Sequence, residues 1–445
     1  MPTYHVENFG CRATQADGAA LARQFEARGL QSASTVQADF VILNTCTVTN
    51  AADQDARAAV RRVQRQNPLA KIIVTGCYAQ RAPEEIAALA GVTAVVGNSH
   101  KHQLADLVLT SVDQPAASIR SAGFVPLEHL AAPVFEPSNS NGSHEHDRTR
   151  PTLKIQDGCD NRCSFCVIPS VRGQSRSLGP SEVIREINAL VAGGYHEVVI
   201  SGINLGRWGY DLAREAGSQT PSFENLIRAI LAETDLEKLR ISSVEPMDWS
   251  DDLIDLVANS PRIAKHAHVP LQSGSDAVLR RMHRKYRPWH YRGKIEKIRA
   301  AMSTAAIGAD VMVGFPGETD AEFESTRRLI EDLPFTYLHV FSYSARPGTP
   351  AADMPKQIPV HVARERNKIL RELAASKKQA FLHSFLGTEL SAITLSSVHE
   401  HAEGEFTETL TDNFQKLFLR GRHQSNRWIT AHIDRVEDGA LFAAI

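Results

Sequence analysis

The chain has 445 residues, 42% of them hydrophobic and 22% charged, with a formal net charge of -2 at pH 7. That is an ordinary globular composition with room for about three domains of ~150 residues; the balance of charge excludes a broad nucleic-acid-coating surface but allows a local basic groove. No apolar run approaches the ~20 residues that cross a bilayer, and MPTYHVENFGC has neither the basic nor the apolar part of a secretory signal; a cytoplasmic location, reduced thiols and no membrane partner are expected.

In chain order, TYHVENFG reads as a strand, TQADGAALARQFEARG as a helix ended by Gly29, and ADFVILNTC as a buried strand. DARAAVRRVQRQNP reads as a helix stopped by Pro68, and AKIIVTGC as a further strand. Short apolar strands between helices predict an α/β unit built on a doubly wound parallel sheet, over residues 1–133. Cys11, Cys46 and Cys77 each follow one of these strands. The carboxyl ends of strands in an open parallel sheet converge on one edge, where ligands bind, so the three cysteines are expected to meet. Residues 134–149 are polar and aperiodic and read as a linker. In it, His144 and His146 are read as solvated and the Asn141-Gly142-Ser143 sequon as meaningless in a cytoplasmic chain.

Over residues 150–378 the alternation resumes. TLKIQ, HEVVISG, KLRISSV, KHAHVPL, GADVMVGF and YLHVFSY are candidate strands, separated by helices such as SEVIREINALVAGG and SFENLIRAILAET. Six such units predict a central partial (β/α)6 barrel with functional residues on the loops after the strands. Residues 379–445 change character: ELSAITLSS, GEFTETLT, FQKLFLRG and RWITAHIDRVEDGALFAAI are short strands with turn residues between them, the pattern of a small C-terminal antiparallel β-barrel.

The chemistry concentrates in QDGCDNRCSFCVIPSVRG, which places Cys159, Cys163 and Cys166 as Cys-x3-Cys-x2-Cys. An odd number of close thiols is a poor disulfide framework and suits a metal centre. A zinc loop would need a fourth protein ligand, and no histidine stands at finger spacing. A tetranuclear iron–sulfur cluster on three cysteines keeps one iron open to a small molecule.

That spacing, with Phe165 before the last cysteine, resembles the radical S-adenosylmethionine superfamily. NTCTVTNAAD, VTGCYAQ, RPTLKIQDGCDNRCSFCVIPSVRGQSRS, SGINLGRWG, RISSVEP, HVPLQSGSDAVLRRMHRKY, DVMVGFPGET and FSYSARPGTPA, in that order, resemble the methylthiotransferases of that superfamily, and TDNFQKLFLRG their C-terminal TRAM domain. These enzymes insert sulfur into a C–H bond and methylate it. The resemblance implies two 4Fe-4S clusters, one on Cys159, Cys163 and Cys166 as the catalytic centre and one on Cys11, Cys46 and Cys77. It implies S-adenosyl-L-methionine as radical source and methyl donor, tRNA as partner, and a flavodoxin- or ferredoxin-like electron donor. For S-adenosylmethionine it points to strand-end residues: Gly202, Ser243, Glu245, Gln272, Gly314 and Glu318, each of which would otherwise serve as a turn or cap.

NTCTVTNAAD followed by RRVQRQNP is similar to the MtaB-like branch of the family, which acts on N6-threonylcarbamoyladenosine beside the anticodon. The isopentenyladenosine branch and the branch acting on an aspartate of ribosomal protein S12 are the alternatives within the family. A dicluster electron-transfer protein and an RNA-binding protein with structural zinc are the alternatives outside it. FGCRATQADGAA lacks the family's asparagine and acidic residue, and Gln174 and Leu178 stand where arginines are frequent. For RNA, Arg280, Arg281, Arg284, Lys285 and Arg287 with Tyr286 and Trp289 suit phosphate contact and base stacking. Arg57, Arg61, Arg62 and Arg65 form a second run. In the tail only Lys416, Arg420, Arg422 and Arg427 form a basic patch, since five Lys or Arg oppose nine Asp or Glu from Phe381 onward.

Overall fold

Side chains alternate between the two faces of a strand, so a strand apolar at every position needs cover on both. The first sheet meets that condition. Its strands β1 (Thr3–Asn8), β2 (Gln31–Ser32), β3 (Phe40–Thr45), β4 (Lys71–Gly76) and β5 (Val92–Gly97) lie parallel in the order β2-β1-β3-β4-β5. Val41, Leu43, Ile72, Val74 and Val95 pack with Val60 and Val63 of the helix Asn50–Gln66. Phe40, Ile42, Ile73, Ala94 and Val96 pack on the other face with Leu21 and Phe25 of the helix Arg12–Glu26. Each such buried Val, Leu, Ile or Phe side chain contributes about 1.5–3 kcal/mol of transfer free energy. Helix Asn50–Gln66 begins before the predicted DARAAV because Thr49 caps it, its side chain accepting from Ala52 N at 3.2 Å.

The computed structural model describes residues 1–110, 149–212, 221–401 and 403–444. The expected linker, with His144, His146 and the sequon, lies outside the described residues up to position 148, as does the end of the expected first domain.

The six strands expected next are all present: β6 (Thr152–Asp157), β8 (Glu197–Gly202), β9 (Lys238–Ile241), β10 (His266–His268), β11 (Ala306–Val313) and β12 (Tyr337–Ser342). A two-residue strand, β7 (Arg176–Ser177), adds antiparallel to β6. The sheets run β7-β6-β8-β9 and β10-β11-β12, and parallel bridges Leu239–Ile263 and Ser243–His268 join them. Ile155, Val198, Ile200, Leu239, Ile241, Ala267, Ile307, Ala309 and Val311 face a large core shared with the helices Pro180–Ala192 and Phe223–Glu233. Most of the alternate positions are polar: Lys154 and Gln156, Glu197 and Ser201, Arg240 and Ser242, His266 and His268, Asp310, Tyr337 and His339. This polar inner face is met by the helix Arg12–Glu26, whose buried Asp17 pairs with Lys154.

In the tail, β13 (Glu389–His401), β14 (Gly404–Thr411), β15 (Lys416–Arg420), β16 (Trp428–Glu437) and β17 (Ala440–Ala444) close in the order β13-β14-β15-β17-β16. The expectation of a wholly antiparallel barrel is corrected: β15 and β17 pair parallel. A closed ring of five strands cannot alternate direction throughout, so one pairing must be parallel. The expected boundary at 378/379 falls inside one helix, Val360–His383, whose Leu382 is part of the barrel's own core. Among the described residues no helix is long and apolar enough to cross a membrane.

Candidate functional site

The tight cysteine trio hangs from the carboxyl end of β6. Gly158 turns the chain with φ +72°, and a Cβ there would lie 1.9 Å from Gln174 O, so the turn requires glycine. Cys159 N then donates to Gly173 O at 3.0 Å and Cys166 N to Cys163 O at 3.1 Å, folding the loop on itself. N–H groups point at the sulfurs. Cys159 Sγ accepts from Asn161 N at 3.4 Å and from Asn204 Nδ2 at 3.6 Å. Cys163 Sγ accepts from Arg284 Nη1 at 3.2 Å, while the other arm of Arg284 pairs with Glu245. Burial raises the Cys159 thiol and pushes Cys166 up to about 12, and the neighbouring cysteines raise both further. Thiols so placed ionise only when a metal supplies positive charge. The loop opens on a cleft lined by Asn161, Cys163, Glu245, Met247, Arg284 and Lys285.

The wide trio gathers at the carboxyl edge of the first sheet, as expected from its strands. Burial, then the nearness of Cys77 and Cys11, pushes Cys46 up to about 12. Gly10 and Gly76, immediately before Cys11 and Cys77, both have φ +101°. A Cβ on Gly10 would lie 2.9 Å from Cys46 Sγ, and one on Gly76 would lie 2.3 Å from Thr45 O. Two glycine turns thus bring the three loops together.

The two trios share one junction. Cys77 packs with Val167, which follows directly on Cys166, and with Val171, one helical turn further on. Asn98 Nδ2 donates to both Cys77 Sγ at 3.4 Å and Val171 O at 2.9 Å. The loop RPGTPA ties the same parts from the other side. Arg346 Nη1 donates to Thr47 O at 3.2 Å and Asp53 at 2.7 Å, beside Cys46, and Ala351 N donates to Ser164 O at 2.8 Å, beside Cys163. Beneath lies a buried ion network. Asp17 takes Lys101 at 3.0 Å, Arg172 at 2.9 Å and Lys154; Asp157 takes Lys154 at 2.7 Å and Arg172 at 3.0 Å. These cations hold both carboxyls far below the usual carboxylate range against the cost of burial.

Among the described residues no three His, Cys, Asp or Glu side chains stand close enough together to hold a single metal ion. Three thiols with amide and guanidinium N–H groups aimed at sulfur are a donor set that fits an iron–sulfur cluster.

The residues expected around S-adenosylmethionine separate into two groups. Glu245 stands with the tight trio through Arg284. Gly202 lies under it: the space a Cβ would fill is taken by Gln156, 2.9 Å away, whose Oε1 accepts from Asn204 N at 2.7 Å. Ser243 sits at the bridge between β9 and β10. Gln272 takes φ +62°, and among the described residues no partner is found for its buried Oε1, nor for Asn204 Oδ1 and Ser242 Oγ. Gly314 and Glu318 instead close a turn of their own. Gly314 N donates to Glu318 Oε2 at 2.7 Å, and Arg366 Nη1 to the same oxygen at 2.7 Å.

Two of the expected RNA contacts are corrected. Arg284 and Tyr286 are buried, the first bonded to Cys163 and Glu245, the second donating to Leu271 O at 2.6 Å. Arg281 is paired with Glu322, and Arg280 and Arg287 with Asp276; Arg280, Lys285 and Trp289 are exposed in that stretch. In the second run Arg57 pairs with Glu85 and Arg62 with Glu7. In the tail Lys416 pairs with Glu408 and Arg422 with Glu405. Leu178, where the family often has arginine, is a core residue whose carbonyl accepts from Trp208 Nε1 at 2.9 Å. Asn98, Asn204, Arg172 and Arg346 carry no spacing signal of their own; each gains its role from a partner far along the chain.

Residues 3–97 match the Uncharacterized protein family UPF0004 and residues 153–330 the Radical SAM superfamily. The chain is 36% identical to the threonylcarbamoyladenosine tRNA methylthiotransferase MtaB of Bacillus subtilis, covering 95% of this chain and 91% of that one. It is 33% identical to the MtaB of Thermotoga maritima over 98% and 95%. It is 31% identical to the tRNA-2-methylthio-N(6)-dimethylallyladenosine synthase of Endomicrobium trichonymphae over 99% of both. In fold it is similar to the radical S-adenosylmethionine methyltransferase TsrM of Kitasatospora setae, with TM-score 0.57 at 15% identity over 79% of this chain and 74% of that one. With two thiol trios joined at one junction and relatives of this identity along nearly its whole length, the chain belongs to the methylthiotransferase family of radical S-adenosylmethionine enzymes.

Proposed function

We propose that this protein converts N6-threonylcarbamoyladenosine beside the anticodon of tRNA into its 2-methylthio derivative. The observation that carries the reading is the junction: Cys77 of one trio packs on Val167 and Val171, in the segment that leads out of Cys166 of the other. A reaction that makes a substrate radical and then delivers sulfur to it needs its two centres side by side. The substrate follows the MtaB relatives of Bacillus subtilis and Thermotoga maritima.

Cys159, Cys163 and Cys166 would hold the 4Fe-4S cluster on which S-adenosylmethionine is split, and Cys11, Cys46 and Cys77 a second cluster that supplies sulfur. Around them the chain's own residues position and shield. Arg284 and Asn204 donate to the thiolates of the tight trio, lowering their charge. Glu245, held by Arg284, and Gln272, with its unpartnered Oε1, offer acceptors to the ribose and ammonium of S-adenosylmethionine; Gly202 and Ser243 shape that wall, and Gly314 and Glu318 brace it against Arg366. Thr47 and Ser164, next to Cys46 and Cys163, are fixed by Arg346 and Ala351, so the two cysteine loops keep one separation. We assign residues 1–133 to the sulfur-bearing domain, 134–149 to a linker, 150–378 to a partial (β/α)6 radical core and 379–445 to a TRAM-like barrel. The electron donor is of flavodoxin or ferredoxin type, and the setting is the cytoplasm, where tRNA resides.

The test is mass spectrometry of tRNA nucleosides from cells with and without the gene. The methylthio derivative of threonylcarbamoyladenosine should vanish and its unthiolated parent accumulate. Loss of the methylthio-isopentenyl nucleoside instead would reassign the substrate.

A further inference from the structure

The inner face of β8 to β12 holds ionisable groups that the steps above leave without a task. Tyr337 lies across Gly308, where an added Cβ would stand 1.9 Å from its ring. Its hydroxyl bridges His266 Nε2 at 2.7 Å and His268 Nδ1 at 3.0 Å. His339, exposed, packs edge-on against Tyr337 and His268 with centroids 5.4 Å apart in each case. The acidic groups here are committed. Glu197 takes Arg240 at 2.6 Å and Arg150 at 3.6 Å, and Asp310 takes His268 at 3.2 Å. Arg240 is further held by the carbonyls of Thr411 and Asp412.

Arg12 is different. It opens the helix Arg12–Glu26, directly after Cys11, and is half-buried. Its guanidinium stands 5.6 Å from the ring centroid of Phe414, which the tail barrel inserts beside Arg240, His266 and Tyr337. It acts electrostatically on both Tyr337 and His339. Among the described residues, no ion pair and no hydrogen bond is found for it. Glu197 acts on Arg12 only from a distance, because its carboxylate is already taken by Arg240 and Arg150. The first turn of its helix holds no acidic residue. A planar guanidinium kept partly from water without a partner is costly, and its geometry matches a carboxylate two-pronged.

We propose that Arg12, flanked by Tyr337 and His339, is the subsite that receives a carboxylate on the N6 substituent of the target adenosine, so that this face selects an anionic modification over a neutral one. The proposal rests on the methylthiotransferase reading above. The threonylcarbamoyl group ends in a carboxylate, while an isopentenyl group has nothing to pair with the guanidinium and would leave it desolvated and unmatched. Because Arg12 adjoins Cys11, the same loop that would hold the sulfur-bearing cluster would also gauge the substituent of the base to be thiolated.

The experiment uses the reconstituted full-length enzyme and three anticodon stem-loops that differ only at the target base: N6-threonylcarbamoyladenosine, its methyl ester, and N6-isopentenyladenosine. Binding is read by fluorescence anisotropy at fixed salt, and methylthiolation by mass spectrometry. Wild-type protein should bind the acid tighter than the ester by roughly 10- to 100-fold, the factor one charged hydrogen-bonded pair carries. In Arg12→Gln that ratio should fall to near one, with the change seen in KM more than in kcat. Arg12→Lys keeps the charge but not the fork and should lie between. Iron content and thermal melting establish that each variant is folded. A wild-type enzyme that binds acid and ester alike, or an Arg12→Gln variant that weakens acid and ester by the same factor, overturns the subsite. Failure of the wild type to thiolate the acid overturns the proposed function instead, and the anisotropy ratio still decides the subsite.

Discussion

Asp17 shows how much one side chain carries at the join between the two α/β units. It comes from the first, its partners Lys154 and Arg172 from the second, and Lys101 from the first. All four are buried. Asp157 shares two of the cations, so three positive charges face two negative ones, and losing either carboxylate raises the buried excess of positive charge. Asp17→Asn is nearly isosteric, yet it leaves three buried cations facing one carboxylate. Removing one partner of a buried pair costs about 3–5 kcal/mol, so the variant's thermal midpoint should fall by several degrees while a surface change such as Asp55→Asn has little effect. The sign with pH follows from the direction of the shift. The native carboxyl is depressed below its unfolded value near ~4, so its contribution is complete at neutral pH and is lost only as pH falls from that unfolded value through the native one. Between about pH 5 and 8 the difference in stability between wild type and Asp17→Asn should therefore stay flat; a difference that shrinks steeply across that range would show that Asp17 is not held ionised by this network.

At the scale of elements, the loop Arg346–Ala351 decides whether the two cysteine loops move together. Arg346 is buried against Thr47 O and Asp53 on one side, while Ala351 N reaches Ser164 O on the other. Arg346→Met keeps the bulk but removes both hydrogen bonds of Nη1; Asp53 retains Arg81 at 2.9 Å, so the first domain should stay folded. The expected result is faster amide exchange at Ser164 and along residues 46–53, by roughly 10-fold or more for the loss of about 1–3 kcal/mol. Unchanged exchange would mean that the sheet edges alone fix the loops. The elements themselves were legible in sequence. Val41 to Leu43 and Ile72 to Val74 are apolar at successive positions because both faces of the first sheet are covered, and all six parallel strands of the second unit stand where their apolar runs predict. What could not be read was pairing at a distance. β7 has two residues and exists only by pairing with β6, and the parallel β15–β17 contact follows from closure of five strands. The basic run Arg280–Arg287 looks like an RNA face in one dimension. In three, Arg284 turns inward to Cys163, because Tyr286 and Met282 are core residues on the same short stretch.

For the whole molecule, three units share one inner face, and none closes it alone. The first contributes Arg12 and Asp17, the second the polar side of its strands, and the tail Phe414, which stands 5.4 Å from Arg240 and 4.7 Å from His266. The tail is thus part of the wall, since Asn413 Nδ2 also donates to Thr304 O at 2.9 Å and Asn426 Nδ2 to Gly194 O at 2.7 Å. The same integration sharpens the question of what each cysteine trio does. Cys46 is buried at the end of β3 and touches the tight trio only through intermediaries: Arg346 on one side, and Cys77 with Val167 and Val171 on the other. Cys46→Ala removes one thiol without changing Arg346, Asn98 or the Val167–Val171 contact. The variant should therefore fold, lose one cluster and keep about four irons per chain by ligand count. The tight trio should still support splitting of S-adenosylmethionine to 5'-deoxyadenosine, because Asn204, Arg284 and Glu245 remain in place. Methylthiolated nucleoside should be absent, because the sulfur-bearing side is gone. One anaerobic assay reads both products, by chromatography and by mass spectrometry. Methylthio product from the Cys46 variant would remove the wide trio from sulfur delivery. Loss of 5'-deoxyadenosine as well, in a variant that melts like the wild type, would show that the Val167–Val171 contact transmits the state of one trio to the other.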